Sequence, residues 1–270
     1  MPLPLPTLTR RLNEMAARPG FGANALQAEL RRSHPQLLAQ ILADAERPDR
    51  FAAWGQSSNL ENDATRELVQ PRLLSALCTL ARVAQPIGSA ANAGLLHTYG
   101  YLLSNRRTPY GFKRQRWTQQ VLETGLSLRP GLLSPIPPDG TLLGNVTALS
   151  DAVWNSRSGI TYVEEPDGSS VRMLTRLLPF PPSNVRLAQA AALFYAWEDS
   201  ERLHFVTLFP VEQVLMERLE THFRDSTALV KPRFNAVIPG LRSEGQPGRL
   251  SIQPADSNSR VAPIAMTRGQ

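Results

Sequence analysis

The sequence predicts an α+β protein in which a helical N-terminal half packs on a small, mainly antiparallel β-sheet built by the C-terminal half. Three observations carry that prediction. Apolar residues recur at three- and four-residue spacing through most of residues 7–126. The stretch 129–140 holds Pro130, Pro135, Pro137 and Pro138, and it cannot continue a helix, because each proline removes a backbone donor and restricts the residue before it. Beyond it come short runs suited to strands, separated by polar turns.

In the helical half, residues 1–128, Thr7 or Thr9 caps a first helix to about Ala17, and the Pro19-Gly20 pair stops it. Asn24 opens a second, to Arg32. Pro35 begins a third, with Leu37, Leu38, Ile41 and Leu42 on one face, and Pro48 ends it. Asn62 or Asp63 is the expected cap of a longer helix to Ala84; Pro71 breaks or kinks it early, and Leu73, Leu74, Leu77, Leu80 and Ala81 form its apolar stripe. Another helix is expected over 90–103. The last begins with Thr108 as cap and Pro109 at its first position, and ends near Gly125.

In the second half, residues 141–242, strands are expected over 142–154, 171–178, 191–198 and 203–209, with Asp199-Ser-Glu-Arg202 and Glu165-Pro-Asp-Gly168 as turns. A helix follows from Pro210 or Val211 to about Phe223, then a short strand near 234–238. The final segment, 243–270, is polar, contains Pro and Gly and lacks periodicity, so a flexible tail is expected. The two halves should form one compact unit.

Hydrophobic residues make up 42% of the 270 and charged residues 19%, the balance of a globular protein. Cys78 is the single cysteine, in a stretch that reads as a buried helix; this excludes an intrachain disulfide framework and a cysteine-based zinc site within one chain. The opening Met1-Pro-Leu-Pro-Leu-Pro carries prolines where a secretory signal has a basic region and an unbroken apolar run. No apolar run approaches a membrane span. The expectation is a cytoplasmic protein with no membrane partner.

The net charge of +6 is unevenly placed. Between Glu67 and Glu123 there is no acidic residue, while seven basic ones occur, and the window 68–138 sets eight basic residues against Glu123 alone. Within it, residues 97–117 combine cations and aromatics. A helix starting at Thr108-Pro109 would present free backbone N–H groups and the positive end of its dipole to phosphate or carboxylate, with Arg106 and Arg107 just before it as bidentate donors. On that helix Lys113, Arg116, Trp117 and Gln120 share one face, and Tyr110, Arg114 and Trp117 an overlapping one. Tyr110 or Trp117 would supply a planar contact; Trp117 could equally root the helix in the core.

Acid–base candidates are His97, whose best partner four residues on is Tyr101, and Asp151, on an expected strand with mixed small and polar residues on both faces. His34, His204 and His222 show no ligand spacing, so no metal site is expected, and no Gly-x-Ser-x-Gly, Gly-x-Gly-x-x-Gly or Walker-type loop occurs. The functional expectation is a cofactor-independent enzyme or binding protein for a small anionic metabolite, held by Arg106, Arg107, Tyr110, Lys113 and Trp117, with His97 and Asp151 as catalytic candidates and no reaction type assigned. The alternatives are a nucleic-acid-binding protein using the window as a phosphate track and a module that presents a basic helix to an acidic protein partner.

Overall fold

The computed structural model describes residues 2–61, 66–181, 189–225 and 227–254. Four helices open the chain, α1 (Leu5–Ala16), α2 (Ala23–Ser33), α3 (Pro35–Ala45) and α4 (Pro48–Ala52). After a short strand, β1 (Gln56–Ser58), comes α5 (Pro71–Ala81), begun by Pro71 and capped by the Gln70 side chain, which accepts from the Leu73 N–H at 2.9 Å. The cap expected at Asn62 or Asp63 lies outside the described residues. Strand β2 (Ala90–Asn92) leads into α6 (Ala93–Leu95), which widens at once into a π-helical turn, Leu96–Gly100.

The predicted helix from Thr108 is a correction. That segment is a tight hairpin, β3 (Arg107–Thr108) and β4 (Gly111–Phe112), and helix begins only at α7 (Gln115–Thr118), followed by α8 (Val121–Gly125). The Thr108 hydroxyl accepts from the Tyr110 N–H and donates to the Gly111 carbonyl, and Gly111 adopts φ +87°. A threonine followed by proline serves a turn as well as a helix cap, and a glycine free to take positive φ two residues later decides for the turn.

Residues 142–154 are likewise not a strand but α9 (Leu142–Trp154), capped by Thr141, whose hydroxyl accepts from the Gly144 N–H at 3.0 Å. Its buried residues, Leu142, Leu143, Val146, Leu149, Ser150 and Val153, form one helical stripe against the N-terminal half. Gln40 on α3 ties the Pro-rich connection to this helix: its amide donates to the Pro135 carbonyl and its oxygen accepts from the Leu142 N–H.

The remaining strands are β5 (Ile160–Pro166), β6 (Arg172–Pro179), β7 (Gln189–Glu198) and β8 (Leu203–Glu212); then come α10 (Gln213–Arg224), β9 (Ala236–Val237) and β10 (Gly248–Pro254). Five of them form one antiparallel sheet in the order β10-β5-β6-β7-β8. β5 was not foreseen, and β10 shortens the expected tail: residues 248–254 pair with β5 through seven positions. Leu250 alternates inward there and Arg249 pairs with Glu165 at the edge. Residues 255–270 lie outside the described residues.

Strand alternation makes the sheet a partition between two cores. On β7, Ala192, Phe194 and Ala196 join the helical half, while Ala191, Leu193, Tyr195 and Trp197 pack under α10 with Leu219 and Phe223. The halves are also stitched by backbone. β1 pairs with β2 and β9, and the Gly55 N–H and Ala53 carbonyl bond Phe205 on the outer edge of β8 at 2.8 and 2.9 Å. Trp54, between them, meets Phe205 edge to face and sits against α6, where a Cβ on Gly94 would fall 2.7 Å from the indole. Cys78 is fully buried in α5, and burial pushes its thiol up to about 11, so it stays a thiol at neutral pH.

Candidate functional site

The site is built from the π-helical turn upward. An extra residue in one helical turn leaves part of the backbone ladder unmatched and re-aims side chains, which is why such turns gather at functional positions. Here it carries His97. The imidazole stacks on Tyr101, ring centroids 4.9 Å apart and 26° between planes, as their four-residue spacing leads one to expect. His97 is buried, and neither ring nitrogen has a hydrogen-bond partner among the described residues.

Two cations close over the same tyrosine. Lys113 Nζ lies 5.3 Å from the Tyr101 ring centroid and Arg116 Cζ 5.0 Å. Arg116 also lies 5.3 Å from the Phe209 ring and donates to the Thr207 hydroxyl at 3.1 Å. Thr207 shares a strand face with Phe209 by alternation, and β8 bulges just before it: Tyr195 pairs with Thr207 and Ala196 with Phe205, leaving Val206 as the extra residue. Both cations are half-buried, and among the described residues neither has a carboxylate within 4.0 Å.

The electrostatics follow from that imbalance. Burial, then the charge of Arg116, lowers Lys113 to about 8, against a weaker pull from Glu61. Burial and the charges of Arg116 and Lys113 hold His97 well below its ordinary range, with the Val206 backbone acting the other way, so the imidazole is neutral at physiological pH. Burial raises the Tyr101 phenol, opposed by Arg116. The cluster therefore offers positive charge, a buried neutral imidazole and an aromatic floor.

Of the residues singled out from sequence, His97 and Lys113 meet here. Trp117 is fully buried and its indole N–H donates to the His97 carbonyl at 2.8 Å, so it roots α7 beneath the site. Arg106, Arg107 and Tyr110 are at the surface, Tyr110 88% exposed at the hairpin tip. Arg106 donates to the Glu67 carbonyl and lines a separate polar cleft of about 260 Å³ with Asn13, Gln70 and Asn105. Asp151 is half-buried on α9; burial raises its pKa, no cation of the cluster acts on it, and its carboxylate has no partner among the described residues.

Three contributors were not in the predicted set. Arg116 stood in the acid-free window on the same helical face as Lys113, and Tyr101 stood four residues from His97, so both had a local signal. Thr207 is 91 residues from Arg116 and had none. Among the described residues no group of three or more His, Cys, Asp or Glu could hold a metal, and no helix is long and apolar enough to cross a membrane. No protein-family model matches the chain, and no curated protein or solved structure is significantly similar to it.

Proposed function

We propose that the protein binds a small anionic metabolite, a carboxylate or phosphate, in the cluster of Lys113, Arg116, His97 and Tyr101. One observation carries the reading: two half-buried cations share the Tyr101 ring with no carboxylate within 4.0 Å among the described residues, beside a buried histidine whose ring nitrogens have no hydrogen-bond partner among those residues. Buried charge is costly unless compensated, and an anion supplies the compensation. Arg116 provides the geometry for a planar carboxylate or a phosphate edge, Lys113 a second charge, and His97 a group that accepts or, once protonated, donates a hydrogen bond.

Anion binding in such a site takes up protons, because a bound negative charge raises both Lys113 and His97. Affinity for inorganic phosphate or oxalate should fall as pH rises through about 8, where Lys113 loses its charge. The test is thermal unfolding with either anion against wild type, Arg116→Met and Lys113→Met. Stabilisation in wild type and its loss, roughly tenfold or more in affinity, in Arg116→Met is the expected result. Equal stabilisation of all three proteins rejects the reading.

A second reading is favoured by one observation, the 88%-exposed Tyr110 beside exposed Arg106 and Arg107, which suits base stacking and phosphate contact on single-stranded nucleic acid. An oligo(dT) arm separates the two: binding that Tyr110→Ala abolishes and Arg116→Met leaves intact supports the hairpin and not the cluster.

A further inference from the structure

The cluster's choice of cation carries information beyond its charge. Of 29 basic residues only Lys113 and Lys231 are lysines, and Lys231 is exposed. For holding an anion, arginine is the better residue: its planar fork engages carboxylate or phosphate bidentately and it keeps its charge. What lysine adds is an amine that can lose its proton and attack. Lys113 is half-buried, stands over Tyr101 without a carboxylate partner among the described residues, and has Arg116 over the same ring. A desolvated amine beside a second cation is the environment that turns a lysine into a nucleophile.

We propose that Lys113 forms a Schiff base with a small oxo-acid whose carboxylate is held by Arg116, with His97 carrying the protons. This rests on the anion-site reading and specifies its ligand class. The Nζ lone pair adds to the carbonyl carbon, making the C–N bond while the π electrons move to oxygen. One Nζ proton passes by way of His97 to that oxygen, giving a carbinolamine. The hydroxyl then leaves as water as the nitrogen lone pair forms C=N, the second Nζ proton passing by way of His97 to that oxygen, so that His97 ends neutral as it began. No oxidant, reductant or metal enters. The lowering of Lys113 to about 8 agrees with this: about half of it is neutral at pH 8, against under about 1% of an ordinary lysine.

The experiment is reductive trapping with pyruvate and sodium cyanoborohydride at pH 8, followed by peptide mass mapping. The adduct should fall on Lys113 roughly tenfold or more above Lys231. It should collapse in Arg116→Met and be absent with acetone, which has the carbonyl without the carboxylate. Lys113→Arg should lose the adduct yet keep stabilisation by phosphate. Labelling by trinitrobenzenesulfonate reads the amine's reactivity independently of substrate fit, and Lys113 should again outpace Lys231. Equal labelling of the two lysines by either reagent, or a pyruvate adduct indifferent to Arg116→Met, overturns the proposal. Phosphate stabilisation without a selective Lys113 adduct rejects the lysine chemistry and leaves the anion site standing; loss of both rejects both.

Discussion

The turn that carries His97 serves two polar clusters, and they are built on opposite principles. Tyr99 donates from it to Asp44, a fully buried carboxylate that also accepts from Thr141 at 2.7 Å and from Arg50 at 2.5 Å. Every charge there has its counterpart, and the cluster joins α3, α4, the π-helical turn and the cap of α9. Two residues to either side of Tyr99, His97 and Tyr101 face Lys113 and Arg116, neither of which has a carboxylate within 4.0 Å among the described residues. Arg176 sharpens the contrast. It is fully buried too, but it donates to the Val153, Ser156 and Ser158 carbonyls and to the Thr161 hydroxyl, closing the end of α9. A polar group inside a protein is stabilising when its partners are all present, and the cluster short of partners is the one proposed to take an anion.

The largest effect should come from breaking the satisfied side. Asp44→Ala leaves the Tyr99, Thr141 and Arg50 donors without their acceptor and should cost about 3–5 kcal/mol in denaturant unfolding. Loss below about 1 kcal/mol would mean that the two clusters do not differ as described. Trp117→Phe keeps an aromatic ring under the site but removes its bond to the His97 carbonyl, and should cost about 1–2 kcal/mol. The same measurement checks it.

On the unsatisfied side the ligand-free protein should gain. Lys113→Met removes a half-buried ammonium and should leave stability unchanged or raise it by about 1 kcal/mol at pH 7, while abolishing anion-dependent stabilisation. The pH dependence has a definite sign. His97 is held below its unfolded value near 6.5, so its contribution is fully present above that value and declines as pH falls, because the unfolded chain then binds the extra proton. Between pH 6 and 5 wild type should lose stability faster than His97→Phe, by up to about 1.4 kcal/mol per pH unit. Parallel pH profiles would place the titrating group elsewhere. Tyr110→Ala, at the exposed hairpin tip, should change stability by less than about 0.5 kcal/mol and leave phosphate binding untouched.

How far the sequence could be read depended on the range of the signal. The helix stripes of α3 and α5, the Pro-rich break, the hairpin at Asp199–Arg202 and the core strands β6, β7 and β8 follow from periodicity and turn residues within a few positions. The errors lie where one local pattern serves two structures. Thr108-Pro109 fits a helix start and a turn, and the β-branched and small residues of 142–154 hid a helix whose Thr141 cap and buried stripe were nonetheless in view. β10 was missed because its ordering comes from an open edge on β5, far along the chain.

The same division holds for the basic segment. Sequence by itself determined that residues 68–122 carry no acidic side chain, that His97 and Tyr101 share a helical face, and that the chain keeps just two lysines. Those are properties of composition and spacing, and folding leaves them unchanged. Tertiary structure decided which cations are exposed and which are drawn inward. The hairpin at 107–112 throws Arg107 and Tyr110 out to solvent, the burial of Trp117 pulls α7 down, and the alternation of β8 sets Thr207 and Phe209 against Arg116. Burial is what gives Lys113, Arg116 and His97 their altered chemistry, and burial depends on contacts some ninety residues apart that no local pattern encodes.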